Sequence, residues 1–337
     1  MFRLIVAGKN LCESKVRVNT LKTKILMTFL AGFLVVSVLS TVLLAEKPDD
    51  PAGGGKPDKL RPVPATDIEL VKKISLRGPK GPPSWAGGGG AGKGKKEQAA
   101  TGILGDPVQG RRYAIVVGIS NYPGEENDLE YCDDDAVEMR DALTNVYGFK
   151  NVTLLTDLEA TRDAILSAID DIPTDAGEIV FFFSGHGMRG IAEDNDNERV
   201  DEAIVAHNGT NLVPIWDGEL RDAFSGFETS RIIFVFDTCL AGGMKSDLEG
   251  PGRIIAMAST ENGYSYETDA LENGEFTYYF VQEGIGGGKA NIHDYNDDTV
   301  IEQPAQVTVE EAFDYARANC SLDKPMIGDG FDDDLLP

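Results

Sequence analysis

Two residues in this chain are of a type and placement that could do chemistry at neutral pH: His186, between two glycines in "FFFSGHGMRG", and Cys239, in "FDTCLAGG". A thiol is a strong nucleophile only as thiolate, and a neighbouring imidazole can take its proton and later return one to a leaving amine. Cys239 as nucleophile and His186 as general base and acid would together hydrolyse an acyl bond. Each residue directly follows an apolar run, and each loop carries glycines that let a substrate backbone approach closely.

Those apolar runs belong to a wider pattern. Residues 113–119 (YAIVVGI), 151–156 (NVTLLT), 178–184 (EIVFFFS), 231–237 (RIIFVFD) and 253–259 (RIIAMAS) read as short strands buried on both faces. Helix-length stretches lie between them: 135–147 with Ala136, Met139, Leu143 and Val146 at helical spacing, and 161–172 with Ile165, Leu166 and Ile169. Thr308 and Glu311 form a capping box that opens a later helix. The rhythm predicts an α/β fold, a mostly parallel sheet with helices on both faces. His186 and Cys239 then sit just past the carboxyl ends of two strands, the rim where open parallel sheets bind ligands.

Other chemistries lack their residues. His207 and His293 have no partner at metal-ligand spacing, and no C-x-x-C, H-E-x-x-H or G-x-S-x-G occurs. The run "GGGGAGKGKK" precedes no strand-to-helix turn and lacks the G-K-[ST] ending of a phosphate loop.

Charge divides the 337 residues. Positions 1–105 hold 17 Lys and Arg against 8 Asp and Glu, whereas 106–337 hold 14 against 48. The acidic part would repel nucleic acid and attract cations or basic partners. Residues 1–24 form a basic, cytoplasmic segment before an uncharged apolar run at 25–45, which reads as a signal sequence or a membrane anchor. The rest of the chain is then expected outside the cytoplasm, tethered to the membrane through 25–45 if that run is uncleaved and secreted otherwise. Residues 46–105, rich in Pro, Gly and Lys, read as a linker. The domain proper spans 106–337.

The motifs "SGHG" at 184–187 and "DTC" followed by "AGG" at 237–243 resemble the caspase-like cysteine peptidases, most nearly the metacaspases and their prokaryotic relatives. The opening stretch "YAIVVGISNYPGEENDLEYCDDDA" and "GEFTYYF" extend the resemblance over about 111–336. It implies a caspase-haemoglobinase three-layer α/β sandwich, with a large-subunit-like part at about 111–250 and a small-subunit-like part at about 251–337. It further implies the backbone N–H groups of Gly187 and Cys239 as oxyanion hole. Cys132, Asp135, Ser184 and Asp237 match the family's specificity site, and two carboxylates there favour a guanidinium or ammonium. The expected activity is an endopeptidase acting on protein or peptide substrates, cleaving after Arg or Lys.

The chain departs from the family in two places. Leu240 stands where metacaspases have a histidine after the cysteine, and "FDTCLAGG" is not the animal-caspase motif. The chemistry itself needs no cofactor. Calcium as an activator is suggested by the resemblance through Asp201, Asp217 and Asp247, and by the acidic loop 193–202 with Asp194, Asp196 and Glu198, since hard oxygen ligands suit that ion. The polar, Gly-rich stretch after Cys239 offers Lys245 as a self-cleavage position. Two other readings remain open on sequence: an inactive caspase-like binding module, and a calcium-binding surface or adhesion protein.

Overall fold

The computed structural model describes residues 62–78, 98–194, 198–295 and 307–337. The apolar run at 25–45 lies outside them, and among the described residues no helix is long and apolar enough to cross a membrane.

In chain order the strands are β1 (Ala65–Val71), β2 (Ile74–Leu76), β3 (Arg112–Gly118), β4 (Asn151–Thr156), β5 (Glu178–Ser184), β6 (Gly187–Ala192) and β7 (Asp201–His207). They continue with β8 (Leu212–Trp216), β9 (Ile232–Asp237), β10 (Arg253–Met257), β11 (Tyr266–Thr268), β12 (Asn273–Gly274) and β13 (Met326–Asp329). The principal helices are α1 (Cys132–Asp141), α2 (Arg162–Asp170), α3 (Asp217–Phe224), α4 (Lys245–Leu248), α5 (Glu275–Thr277) and α6 (Val309–Asn319).

The central sheet has the order β13-β10-β9-β5-β3-β4, all parallel except the edge strand β13. Because side chains alternate across a strand, one face presents Ile115, Val117, Phe181, Phe183, Phe234 and Phe236, packed with Ile165 and Ile169 of α2 and Leu220 and Phe224 of α3. The other face presents Val116, Val180, Phe182, Val235 and Ala256, packed with Met139 of α1 and Phe313 of α6. Two apolar layers on one sheet give the three-layer α/β sandwich, as expected from runs with no polar alternation.

The predicted core strands match β3, β4, β5, β9 and β10 to within two residues at their ends. The Thr308–Glu311 capping box forms at the start of α6, and Thr161 caps α2. The helix expected over 135–147 begins three residues earlier and ends in a π-helical turn, Ala142–Val146.

The linker expectation for 46–105 is corrected over 65–76. β1 adds to the antiparallel sheet β1-β6-β7-β8, with Val71 opposite Gly187 and Ala65 opposite Ala192. β2 lies parallel to β11, Ile74 opposite Tyr266. Backbone pairing and a few charged contacts hold these strands, including Arg189 with Glu69 at 2.6 Å. Ala65 and Leu70 pack against the core and Val71 against Cys239 and Leu240, but the residues between them are exposed, so no alternating hydropathy reveals β1.

Candidate active site

β5 and β9 are hydrogen-bonded neighbours in register, with Ser184 opposite Asp237. Their ends therefore deliver His186 and Cys239 to one rim. Gly187 is required there: a Cβ on it would collide with the carbonyl oxygen of Cys239. This close approach brings the backbones of the two oxyanion-hole candidates together. Leu240, immediately after the thiol, has φ 62°, ψ 11°, a left-handed conformation that costs a non-glycine residue about 1 kcal/mol or more. Its N–H is fixed by Gly263 O at 2.9 Å.

The imidazole is held from three sides. Tyr122 stacks on it at 4.8 Å between centroids, and the Tyr122 hydroxyl accepts from His186 N while donating to Val205 O. His186 Nδ1 accepts from the Lys73 N–H at 3.0 Å. That fixes the tautomer: Nε2 carries the proton and donates to Asn127 O at 2.8 Å. The backbone carbonyl of Asn127 is thus the orienting third group, for which no side chain was assigned from sequence.

Burial pushes His186 down to about 4, and burial pushes the Cys239 thiol up to about 12. With the site covered, the pair rests as neutral imidazole and neutral thiol. The thiol donates to Lys72 O at 3.3 Å and accepts from Ser265 N at 3.2 Å. One peptide unit, Lys72–Lys73, therefore spans the dyad, its carbonyl on the sulfur and its N–H on the imidazole.

The side chain of Lys73 enters the pocket expected for basic residues. Its Nζ lies 2.7 Å from Asp237 Oδ1, 3.1 Å from Ser184 Oγ and 3.7 Å from Asp135 Oδ2, with all three charged side chains wholly buried. Burial opposes the lysine's charge, but Asp237, Cys132 and Asp135 outweigh it and hold the ammonium well above its usual range. Burial likewise opposes the charge on Asp237; Lys73, Ser265 and Thr277 hold that carboxyl below the carboxylate range. Asp135 is pushed up by burial and by Asp237.

Two partners of Asp237 went unseen in the sequence, Ser265 Oγ at 2.6 Å and Thr277 Oγ1 at 2.7 Å. Gly274, whose N–H donates to Asp135 Oδ1, leaves the pocket its space, since a Cβ there would meet Asp237, Lys73 and Asp135. Both Thr277 and Gly274 sit inside "GEFTYYF". Cys132 borders the pocket, its Sγ 3.9 Å from Glu267 Oε2. Cys132 and Cys320 are both free thiols.

The acidic residues distribute differently from the sequence expectation. Carboxylate oxygens of Asp194, Asp201 and Asp217 come within 4.8 Å of one another, all three residues buried. Asp247 is not in that group: it holds Arg221 Nη1 at 2.5 Å. Asp194, noted only as part of the acidic loop, takes the third place. Burial, Asp247 and Glu202 push Asp217 up to about 9. Asp196 lies outside the described residues.

Lys245 is not in an open loop. It begins α4, follows the 3-10 turn Ala241–Met244 and faces Glu249 at 3.6 Å, while Met244 and Leu248 anchor the segment in the core. A peptide bond held in a helix is not extended for a cleft, so cutting there requires the segment to unwind. His207 is structural, bonded to Asp157 O and Gly209 N.

A family model described as "Caspase domain" of the C14 peptidases matches residues 111–305. Metacaspase-7 of Arabidopsis thaliana is 33% identical over 144 residues, covering 39% of this chain and 35% of that protein. Metacaspase-1 of Saccharomyces cerevisiae is 32% identical over 147 residues, covering 40% and 34%. The chain thus spans about a third of the length of these relatives. Among solved structures, a protein from Geobacter sulfurreducens aligns with a TM-score of 0.46 and 17% identity, over 65% of this chain and 92% of that one.

Proposed function

The chain belongs to the caspase-domain peptidase family, and we propose that within it the protein is a cysteine endopeptidase that cleaves on the carboxyl side of lysine or arginine. One observation carries this reading: a lysine ammonium seated on Asp237 and Ser184, beside a peptide unit that touches both Cys239 and His186. A buried cation between two carboxylates is a strong charge-assisted contact, and the same pocket would take either basic side chain of a substrate.

In the reaction, His186 Nδ1 takes the thiol proton as sulfur attacks the carbonyl carbon. The N–H groups of Gly187 and Cys239 would receive the oxyanion, the imidazolium then protonates the leaving amine as the C–N bond breaks, and water deprotonated by His186 cleaves the resulting thioester, releasing the acid and returning the thiol. Asn127 O holds the ring in orientation through Nε2–H throughout. A panel of peptides differing only in Arg, Lys or Asp before the scissile bond tests the reading. Cleavage should follow Arg and Lys and be negligible after Asp; preferential cleavage after Asp or Asn overturns it.

Calcium as an activator is part of the same proposal. Asp194, Asp201 and Asp217 fit the ion by donor type, and the raised carboxyl of Asp217 marks the strain of clustering acids out of water. The ion would neutralise this cluster, which lies beyond the strands β6 and β7 that neighbour the dyad. Asp217 has its folded pKa above the unfolded value, so its contribution favours folding at low pH and is lost as pH rises toward about 9. In chelator, Tm should therefore fall between pH 6 and pH 8, and calcium should reduce that fall. Asp201→Asn should lose the calcium response in calorimetry. Identical pH profiles with chelator and with calcium would take the ion out of the proposal.

A further inference from the structure

The segment that fills the active site lies across it in the wrong direction to be cut there. A peptidase that cleaves after lysine seats that side chain in its pocket and the same residue's carbonyl at the thiol. Here the pocket residue, Lys73, presents its nitrogen to the dyad, 3.0 Å from His186 Nδ1, and the carbonyl at Cys239 belongs to the preceding residue. Keeping a side chain in place while exchanging its N–H for its carbonyl requires reversing the chain. A productive substrate must then run antiparallel to β11, whereas β2 runs parallel to it, with Ile74 N donating to Ser265 O at 2.9 Å.

Nor is the bond that does lie at the dyad, Lys72–Lys73, set for attack. The sulfur contacts the carbonyl oxygen as a donor, which keeps the thiol protonated and its lone pairs off the carbon. The Lys72 side chain points away from the pocket, exposed, with Nζ on Glu126 O at 2.7 Å. Resting on the peptidase reading above, we infer that residues 65–77 are a built-in competitive inhibitor threaded backwards through the substrate cleft, so that activation is displacement of the strap and not its cleavage.

The strap is held by contacts that substrate would replace. Lys73 compensates two carboxylates that are otherwise buried together, Arg77 reaches Glu130 at 2.8 Å, and β1 occupies the edge of β6. Being part of the chain, it acts at an effective concentration of about millimolar or above. A free basic peptide of ordinary affinity does not compete at lower levels.

The test uses the full chain and two variants. Lys73→Ala removes the pocket contact. Ile74→Pro keeps the lysine but removes the N–H given to Ser265 O, and so stands in if Lys73→Ala is misfolded by its uncompensated acids. Two readouts are taken: hydrolysis of a lysine peptide, and the rate of Cys239 alkylation by iodoacetamide followed by peptide mapping. Both rates should rise about tenfold or more over the unaltered chain. A synthetic peptide of residues 62–78, added to the variant, should restore inhibition competitively and be recovered intact.

Unchanged alkylation in a folded variant overturns the strap. So does recovery of active full chain, or of the added peptide, cut on either side of Lys73. Raised alkylation without hydrolysis of any peptide leaves the strap standing and overturns the peptidase reading instead, so the two failures are distinct.

Discussion

Cys239→Ala is expected to abolish peptide hydrolysis, with kcat/KM lower by about a thousandfold or more, while the protein stays folded. Neither of the other two described cysteines can stand in for it. Cys132 is enclosed beside Glu267, and Cys320 faces a backbone carbonyl of α5. His186→Ala should cost a similar factor, because without Nδ1 nothing at the site takes the thiol proton, and burial keeps that thiol in its neutral form. The double variant should be no slower than either single one, since the two groups act in one step. Hydrolysis is read in the strap-released background so that the baseline is measurable. Thermal unfolding within a few degrees of the parent shows that chemistry and not folding was lost. Near-parental turnover in Cys239→Ala ends the cysteine-peptidase reading.

The sequence reveals this part of the molecule well for a physical reason. β5 and β9 are buried on both faces, so each is a continuous apolar run, and a run that stops at a glycine-flanked polar residue marks a strand end on the rim. Two such ends held His186 and Cys239, which placed them on one rim; that their strands are hydrogen-bonded neighbours is visible only in the structure. What organises the histidine was not legible: the Asn127 carbonyl is backbone, and any residue type could supply it. Likewise, β1 has Thr66, Asp67 and Glu69 among its seven residues, with Asp67 at φ 52°, so no alternating apolar face announces a strand. Its partner is chosen by an open edge on β6 and by one lysine. Read as composition, Lys72 and Lys73 merely add to a basic linker; read in place, one of them is the counter-ion of the specificity pocket.

The acidic site illustrates a second limit. The resemblance points to Asp201 and Asp217, and the structure brings their carboxylates together because both sit at the ends of paired antiparallel strands. Asp247 follows a helical turn whose length spacing does not encode, and Arg221 of α3 claims it. Asp194, from the loop after β6, is the carboxylate that arrives.

Asp237→Asn should change specificity more than any other single substitution. The carboxylate is buried, accepts from Ser265 and Thr277, and is the nearest charge to the cation in the pocket. An amide keeps the shape and part of this network but leaves a bound ammonium or guanidinium facing one raised carboxyl, Asp135, in place of a charged partner. Loss of one partner from a buried charged contact costs about 2–5 kcal/mol, which is roughly 30- to 4,000-fold in kcat/KM for lysine and arginine peptides. Peptides with glutamine or norleucine before the scissile bond make no such contact and, with the strap already released by Lys73→Ala in both proteins, should be cleaved by the variant about as fast as by the parent. That comparison separates a lost charge from a lost fold, because unfolding would remove both activities. In the otherwise unaltered chain the same substitution weakens the hold on Lys73, so there Cys239 should become easier to alkylate. Asp237→Asn cleaving lysine peptides at the parental rate would mean that this carboxylate does not select the substrate, and the lysine beside it would then be only a buried ion pair.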